Sequence, residues 1–323
     1  MAFADLKNDY IFRRIFGTHP DILRRLLNDL LERKDAQTIE RIEYLPSEQL
    51  PVVEGAKLSI LDVRCHDRAG TTFVVEMQLI HHPGFINRVV YNACKAYADQ
   101  LKAGDWYTRL SDVVAISICD FELWPDAAQD SNNLPRVPML SRWNMAERAS
   151  KNHGLLQVQY AFLELPKMPE RQPEQIAQLE SADLWAWLFV NAPHLTEVPK
   201  SLASGPYGDA LELANKAKFT VAELHAYEKA RDEIRQVLEI SDARWAEGRR
   251  KGQDEGKIEG RLEGRLEGKL DGKRETLLRL LVRAGIAITD DGRARIEACT
   301  DPATLDRWLE NIIGAKTAAE VLA

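Results

Sequence analysis

An α/β fold with a helical C-terminal extension is predicted by three observations. Two short amphipathic helical stretches open the chain. Two strand-like segments joined by a short turn follow. A further helix then leads into the β-branched run "DVVAISICDFEL". Helices and strands interleaved in this order predict a sheet covered by helices, an α/β sandwich.

Each element has its own signal. "NDYIFRRIFG" places apolar residues at 11, 12, 15 and 16, the spacing of one helix face, and Gly17 is positioned to end it. "HPDILRRLLNDLLERK" repeats the pattern through Ile22, Leu23, Leu26, Leu27, Leu30 and Leu31, with Pro20 and Asp21 suited to a first turn. "AKLSILDVRCHD" alternates, which puts Leu58, Ile60, Asp62 and Arg64 on one strand face against Ser59, Leu61, Val63 and Cys65 on the other, and "TTFVVEMQLI" reads as the next strand. The intervening "DRAG" predicts a turn, hence an antiparallel hairpin. "FINRVVYNACKAYADQLKAG" predicts a helix closing near Gly104, and "LLQVQYAFLEL" (155–165) predicts another strand. From Pro173 onward the chain reads as helical, with "WAWLF" (185–189) in the core.

The plainest repeat is "EGRRKGQDEGKIEGRLEGRLEGKLDGKR", in which glycine recurs at 248, 252, 256, 260, 264, 268 and 272. Its regular unit is acidic–Gly–basic–Leu. Each glycine costs a helix about 1 kcal/mol against alanine. The four-residue period also sets like charges at i,i+4 and no opposite charges at i,i+3 or i,i+4. Two readings follow: a flexible charged linker, or a self-associating helix whose glycine line lets another helix approach closely, with ion pairs formed between helices. A period above 3.6 favours a right-handed crossing in the second. Four regions are expected: a core domain at 1–170, its helical extension at 171–240, the repeat at 241–274 and a small helical element at 275–323.

The 323 residues are 45% hydrophobic and carry a formal net charge of −7, which excludes a strongly basic footprint over the whole chain. Residues 1–125 hold 15 Lys and Arg against 18 Asp and Glu, so any polyanion-binding groove must be local or come from another subunit. The four cysteines, Cys65, Cys94, Cys119 and Cys299, form no C-x-x-C pair and are expected to be reduced and mostly buried. No apolar run approaches the roughly 20 residues that span a bilayer, and "MAFADLKNDYIFRRIFG" has no signal-peptide pattern; a cytoplasmic protein is expected.

The chemistry concentrates in "LDVRCHDRAGTTFVVEMQ". Asp62 and Glu76 fall on adjacent strands and can share one face. Two converging carboxylates suit Mg²⁺ or Mn²⁺, hard cations that prefer oxygen. Such an ion activates water and offsets charge at a phosphate. Glu76 and Gln78 are two apart and point to the same side of a sheet.

Those residues, with "LKNDYIFRRIFG", "LLNDLL", "RVVYNACKAYADQLKAGDWYTRLSDVVAISICDFEL" and "YAFLELPKM", resemble the Rpn family of recombination-promoting nucleases and transposase-like proteins, in the PD-(D/E)XK nuclease superfamily. The resemblance runs over roughly residues 5–200. It implies a restriction-endonuclease-like core with a mixed sheet flanked by helices, and a Mg²⁺-dependent DNA endonuclease. Asp62 and Glu76 would be the metal ligands. Gln78 stands where the broad superfamily has lysine; an amide hydrogen-bonds but carries no charge. The alternative is an inactive nuclease-like module that binds nucleic acid or protein, with a self-associating tail.

Further candidates surround this motif. Arg88, on the next helix, either contacts a DNA phosphate or supplies the missing cation, or is simply a helix-surface arginine. Lys7 and Asp9 either approach the site or begin the first helix. Glu32 is either an additional ligand or, the preferred reading, a surface residue, and His81 and His82 are expected in a loop or in contact with substrate. Trp106 and Tyr107 are expected to pack a helix-to-strand corner rather than stack on bases.

Overall fold

A computed structural model describes residues 2–49, 59–125 and 136–323 of the chain; Leu58 lies outside them. Two units are distinguished, Met1–Leu238 and Glu239–Ala323.

The first unit is built on a six-stranded mixed sheet. Its strands are β1 (Ile42–Tyr44), β4 (Val63–Asp67), β5 (Thr72–Gln78), β6 (Val113–Cys119), β7 (Leu140–Met145) and β8 (Leu155–Glu164). A separate two-stranded pair joins β2 (Glu48–Gln49) to β3 (Ser59–Ile60). The sheet order is β1-β4-β5-β6-β8-β7. Strands β5, β6 and β8 are mutually parallel; β1, β4 and β7 join antiparallel at the two sides.

Each face of the sheet has its own core. On one side Phe73, Val75, Val63 and Cys65 pack beneath α1 (Asp9–Phe16) and α2 (Pro20–Leu30), with Trp185, Leu188 and Phe189 completing the layer. On the other, Val74, Val113, Ala115 and Phe162 meet Phe85, Val89, Ala93 and Ala96 of α3 (Phe85–Ala98). Strand alternation makes both cores from one sequence: odd residues of β5 serve the first layer and even ones the second. Glu76 belongs to the even set, so its side chain emerges under α3.

Local chemistry sets the ends. Asn8 caps α1 by accepting the N–H groups of Tyr10 and Ile11. Gly17 ends it where a Cβ would lie 2.5 Å from the Arg13 carbonyl oxygen. Gly70, at φ +91°, makes the turn between β4 and β5, as "DRAG" predicts.

The expected helix to Gly104 stops earlier, at Ala98. The Gln100 amide explains this: it accepts the Ser111 N–H at 2.8 Å and donates to the Ser111 carbonyl at 2.9 Å, tying the chain into an irregular connection. Pro173–Gln178 forms a 3-10 segment, and regular helix resumes in α4 (Ser181–Asn191), then α5 (Pro206–Ala214) and α6 (Val221–Arg283). "WAWLF" is buried throughout, as expected.

Helix α6 contains the whole glycine repeat without interruption. The second unit comprises the rest of α6 with α7 (Asp290–Glu297), α8 (Pro302–Asn311) and α9 (Ala318–Val321). Its core is Leu277, Leu281, Ile296, Leu305, Trp308 and Val321. Cys65 and Cys119 are buried, whereas Cys94 is exposed and Cys299 half-buried, so the expectation of mostly buried thiols holds for two of the four.

Candidate active site

Parallel strands β5, β6 and β8 end together: Gln78 is in register with Cys119, and Cys119 with Glu164. Such carboxyl ends, where connections diverge to the helices, are where open α/β sheets leave room for ligands. Glu76 and Gln78 occupy this end of β5. The β4–β5 register pairs Val63 with Val75, and one further step sets Asp62 across from Glu76.

Asp62 is not inside a strand. Strand β3 stops at Ile60 and β4 begins at Val63. Leu61 enters the α3-side core and Val63 the opposite one, so the chain changes faces at Asp62. This corrects the expectation of one continuous strand with Leu61 and Val63 in one layer. Two competing cores claim the flanking residues, and the break leaves Asp62 at the sheet end. Its Oδ2 accepts the Met77 N–H at 2.8 Å, and its Oδ1 accepts Arg13 Nη2 at 3.0 Å. Arg13 Nε in turn lies 3.2 Å from Asp9.

Glu76 is 7% exposed. Its Oε1 accepts the side-chain amide of Asn92 at 2.9 Å. Its Oε2 is buried and without a hydrogen bond; the Arg88 guanidinium stands 3.9 Å away. Arg88 and Asn92 are four apart on α3, hence on one helix face aimed at the same carboxylate. Arg88 also donates to Gln78 Oε1, while Gln78 Nε2 donates to the Ile80 carbonyl at 2.9 Å. The Gln78 amide is therefore a bracket. One end is fixed on the backbone and the other holds the guanidinium beside Glu76.

Both carboxyls are held above the usual carboxylate range. Burial is the main cause for Asp62, opposed by the Met77 N–H and Arg13, with the Asp9 charge adding to the rise. Burial also dominates for Glu76. Arg88 pulls it down, the Asp62 charge pushes it up, and the Asn92 hydrogen bond lowers it. The Asp62 charge is thus felt at the Glu76 site. Its negative charge is under-compensated, and an unbonded oxygen, Glu76 Oε2, is the atom most in need of a positive partner.

This donor set fits a divalent cation. It consists of carboxylate oxygen on a rigid hairpin, with neither thiolate nor imidazole. No cluster of three or more His, Cys, Asp or Glu suited to a metal occurs among the described residues. The remaining ligands would be water, backbone carbonyls or substrate oxygens, as hard cations accept.

Other predicted residues separate into near and far. Lys7 pairs with Asp120 at 2.9 Å, and the Asp120 N–H donates to the Gln78 carbonyl, so the N-terminal segment buttresses the motif strand. Asp9 reaches Asp62 through Arg13. Glu32 pairs with Arg142 at 3.2 Å, away from these carboxylates. The His81 ring stacks edge-on with Phe121, and the His82 ring accepts the Gly84 N–H. Trp106 and Tyr107 are 79% and 82% exposed, which corrects the expected packing role. They sit in the connection leading to the start of β6, away from the strand ends that hold Glu76. Glu164 and Lys167 of "ELPK" form a buried ion pair at 3.1 Å, and Glu164 Oε2 also accepts the Leu123 N–H at 2.7 Å. That pair clamps the segment after β6. Arg13 and Asn92 had gone unnoticed in the sequence. Asn92 does leave a trace, as a polar residue within the apolar stripe of Phe85, Val89 and Ala96.

The profile of the PD-(D/E)XK nuclease family transposases matches residues 6–238. The chain belongs to this family. The match spans the resemblance read from the sequence and extends to the end of the first unit. No curated protein and no solved structure matches the chain. Within the matched region the Arg88 guanidinium, carried by α3, donates to Gln78 of the motif strand. Among its described residues, no helix is long and apolar enough to cross a membrane.

Proposed function

We propose that the protein is a Mg²⁺- or Mn²⁺-dependent DNA endonuclease that hydrolyses phosphodiester bonds, with Asp62 and Glu76 as metal ligands and Gln78 and Arg88 completing the site. The observation that carries this reading is the buried, unbonded Glu76 Oε2 beside a second buried carboxylate. Buried carboxylate oxygens are normally hydrogen-bonded; Oε2 has only the Arg88 guanidinium 3.9 Å away, and a cation would satisfy it more fully.

A bound ion would supply an activated water and offset negative charge on the phosphate. The chain's own groups do the rest. Met77 N–H and Arg13 fix the Asp62 rotamer. Asn92 orients Glu76 so that Oε2 is left free. Arg88, bracketed by Gln78, offers a guanidinium to a phosphate oxygen, where planar donors bind bidentately. Gln78 thus acts through Arg88 and needs no charge of its own. We also propose that the C-terminal repeat pairs copies of the chain.

The test is cleavage of supercoiled and linear DNA by the full chain with Mg²⁺, Mn²⁺ or EDTA. Metal-dependent nicking that Asp62→Ala abolishes is expected. No cleavage with either ion, or equal cleavage by Asp62→Ala, overturns the reading in favour of a binding module.

A further inference from the structure

Over residues 256–273 the repeat is fully regular and lies within α6. Four residues turn an α-helix by about 400°, so each residue type follows its own slowly winding line. Around the helix the order is apolar, acidic, glycine, basic, each about a quarter of the circumference. The apolar line is Ile258, Leu262, Leu266 and Leu270. Leu270 is buried in the second unit's core, whereas Ile258, Leu262 and Leu266 are 61%, 63% and 54% exposed. Glu259, Glu263 and Glu267 run along one flank, and Arg261, Arg265 and Lys269 along the other. None of these charges has an ion-pair partner among the described residues; the nearest intrahelical pair is Arg274 with Asp271. Each flank instead stacks like charges at i,i+4, which weakens a lone helix.

We infer that this stretch is a parallel self-pairing face. Helix α6 of one copy docks on α6 of a second copy through Ile258, Leu262 and Leu266. The inference rests on the self-association proposed above and gives it a face and a direction. The occupant follows from charge. Two-fold rotation about an axis parallel to the helices sets the acidic flank of each copy against the basic flank of the other, on both sides of the apolar line. An antiparallel pair would set acid against acid and base against base, as flanking charges do in coiled coils. Only a helix with the same four-residue spacing meets both flanks in register, and the second copy has it. The apolar side chains supply the drive, since burying each half-exposed Leu or Ile contributes about 1 kcal/mol.

Full-length protein answers the question in three measurements. Sedimentation equilibrium should give a dimer for the wild type. The exposed-site pair Leu262→Glu and Leu266→Glu should weaken it by at least about tenfold, with helix content by circular dichroism unchanged. Gly260→Gln with Gly264→Gln, on the opposite side, should leave it intact. Mild oxidation should then cross-link Ile258→Cys to itself and Leu266→Cys to itself above the wild-type background. A monomeric wild type overturns self-association altogether. A dimer that survives Leu262→Glu with Leu266→Glu, or that the glycine variants break, overturns the apolar face. Cross-linking only in a mixture of Ile258→Cys and Leu266→Cys chains overturns the parallel direction.

Discussion

The Asp62 carboxylate accepts the backbone N–H of Met77 at 2.8 Å, so one candidate ligand is hung on the strand that carries the other. Asp62 lies where the chain leaves one core for the other, and Glu76 follows the strand alternation that turns it beneath α3. The hairpin register and this hydrogen bond tie the two positions together.

Glu76→Gln is expected to abolish metal-dependent cleavage and yet to stabilise the metal-free protein by about 1 kcal/mol at neutral pH, because it removes a buried, under-compensated charge. Urea unfolding in EDTA, paired with a nicking assay, reads both quantities. A metal-free variant less stable than the wild type would show that the charge is compensated by the fold alone.

Asn92→Leu removes the donor to Glu76 Oε1. Partners that orient a metal ligand typically govern metal affinity by about 10–100-fold. Calorimetric titration with Mn²⁺ should show a loss in that range while Asp62 remains in place. Unchanged affinity would assign Asn92 to packing.

Arg88→Ala should lower the cleavage rate more than it weakens metal binding, since its guanidinium bears on the phosphate. Gln78→Lys in the Arg88→Ala background should recover part of the rate by placing a cation on the motif strand itself. The four-variant cycle measures the coupling between the two positions. Simple additivity would separate them.

The pH dependence has a definite sign. Asp62 and Glu76 are both raised, chiefly by burial, so in the metal-free fold their ionisation costs stability. Their contribution is most favourable below the ordinary carboxylate pKa and is lost as pH rises through the elevated folded values. Metal binding needs the ionised forms. Manganese affinity should therefore fall as pH drops through the window just above the ordinary carboxylate range, while metal-free stability from these groups rises. Parallel titrations and thermal melts in EDTA test the opposition.

The hairpin, its turn at Gly70, the buried strand β6 and the aromatic core of α4 were legible because periodicity and turn chemistry reflect local constraints. Strands β1 and β7 were not. "IEY" is three residues long, and "LSRWNM" mixes apolar and polar residues without clean alternation, being largely exposed at the sheet edge. The break at Asp62 escaped because an alternating pattern continues through it; only the two cores reveal that Leu61 and Val63 part company. Arg88 was readable from its place after the motif strand. Its bracket through Gln78 depends on how α3 packs on the sheet, which no spacing along the chain encodes.

Helix α6 can change its length in whole steps. Deleting or adding one four-residue unit shortens or lengthens it by about 6 Å, yet every line of side chains continues in its own place. Two successive units, RLEG at 261–264 and at 265–268, are identical, so adding or removing one leaves the pattern unchanged. The repeat is therefore an adjustable ruler whose markings survive each change of length, so copies with equal numbers of units match along their whole span and unequal ones do not.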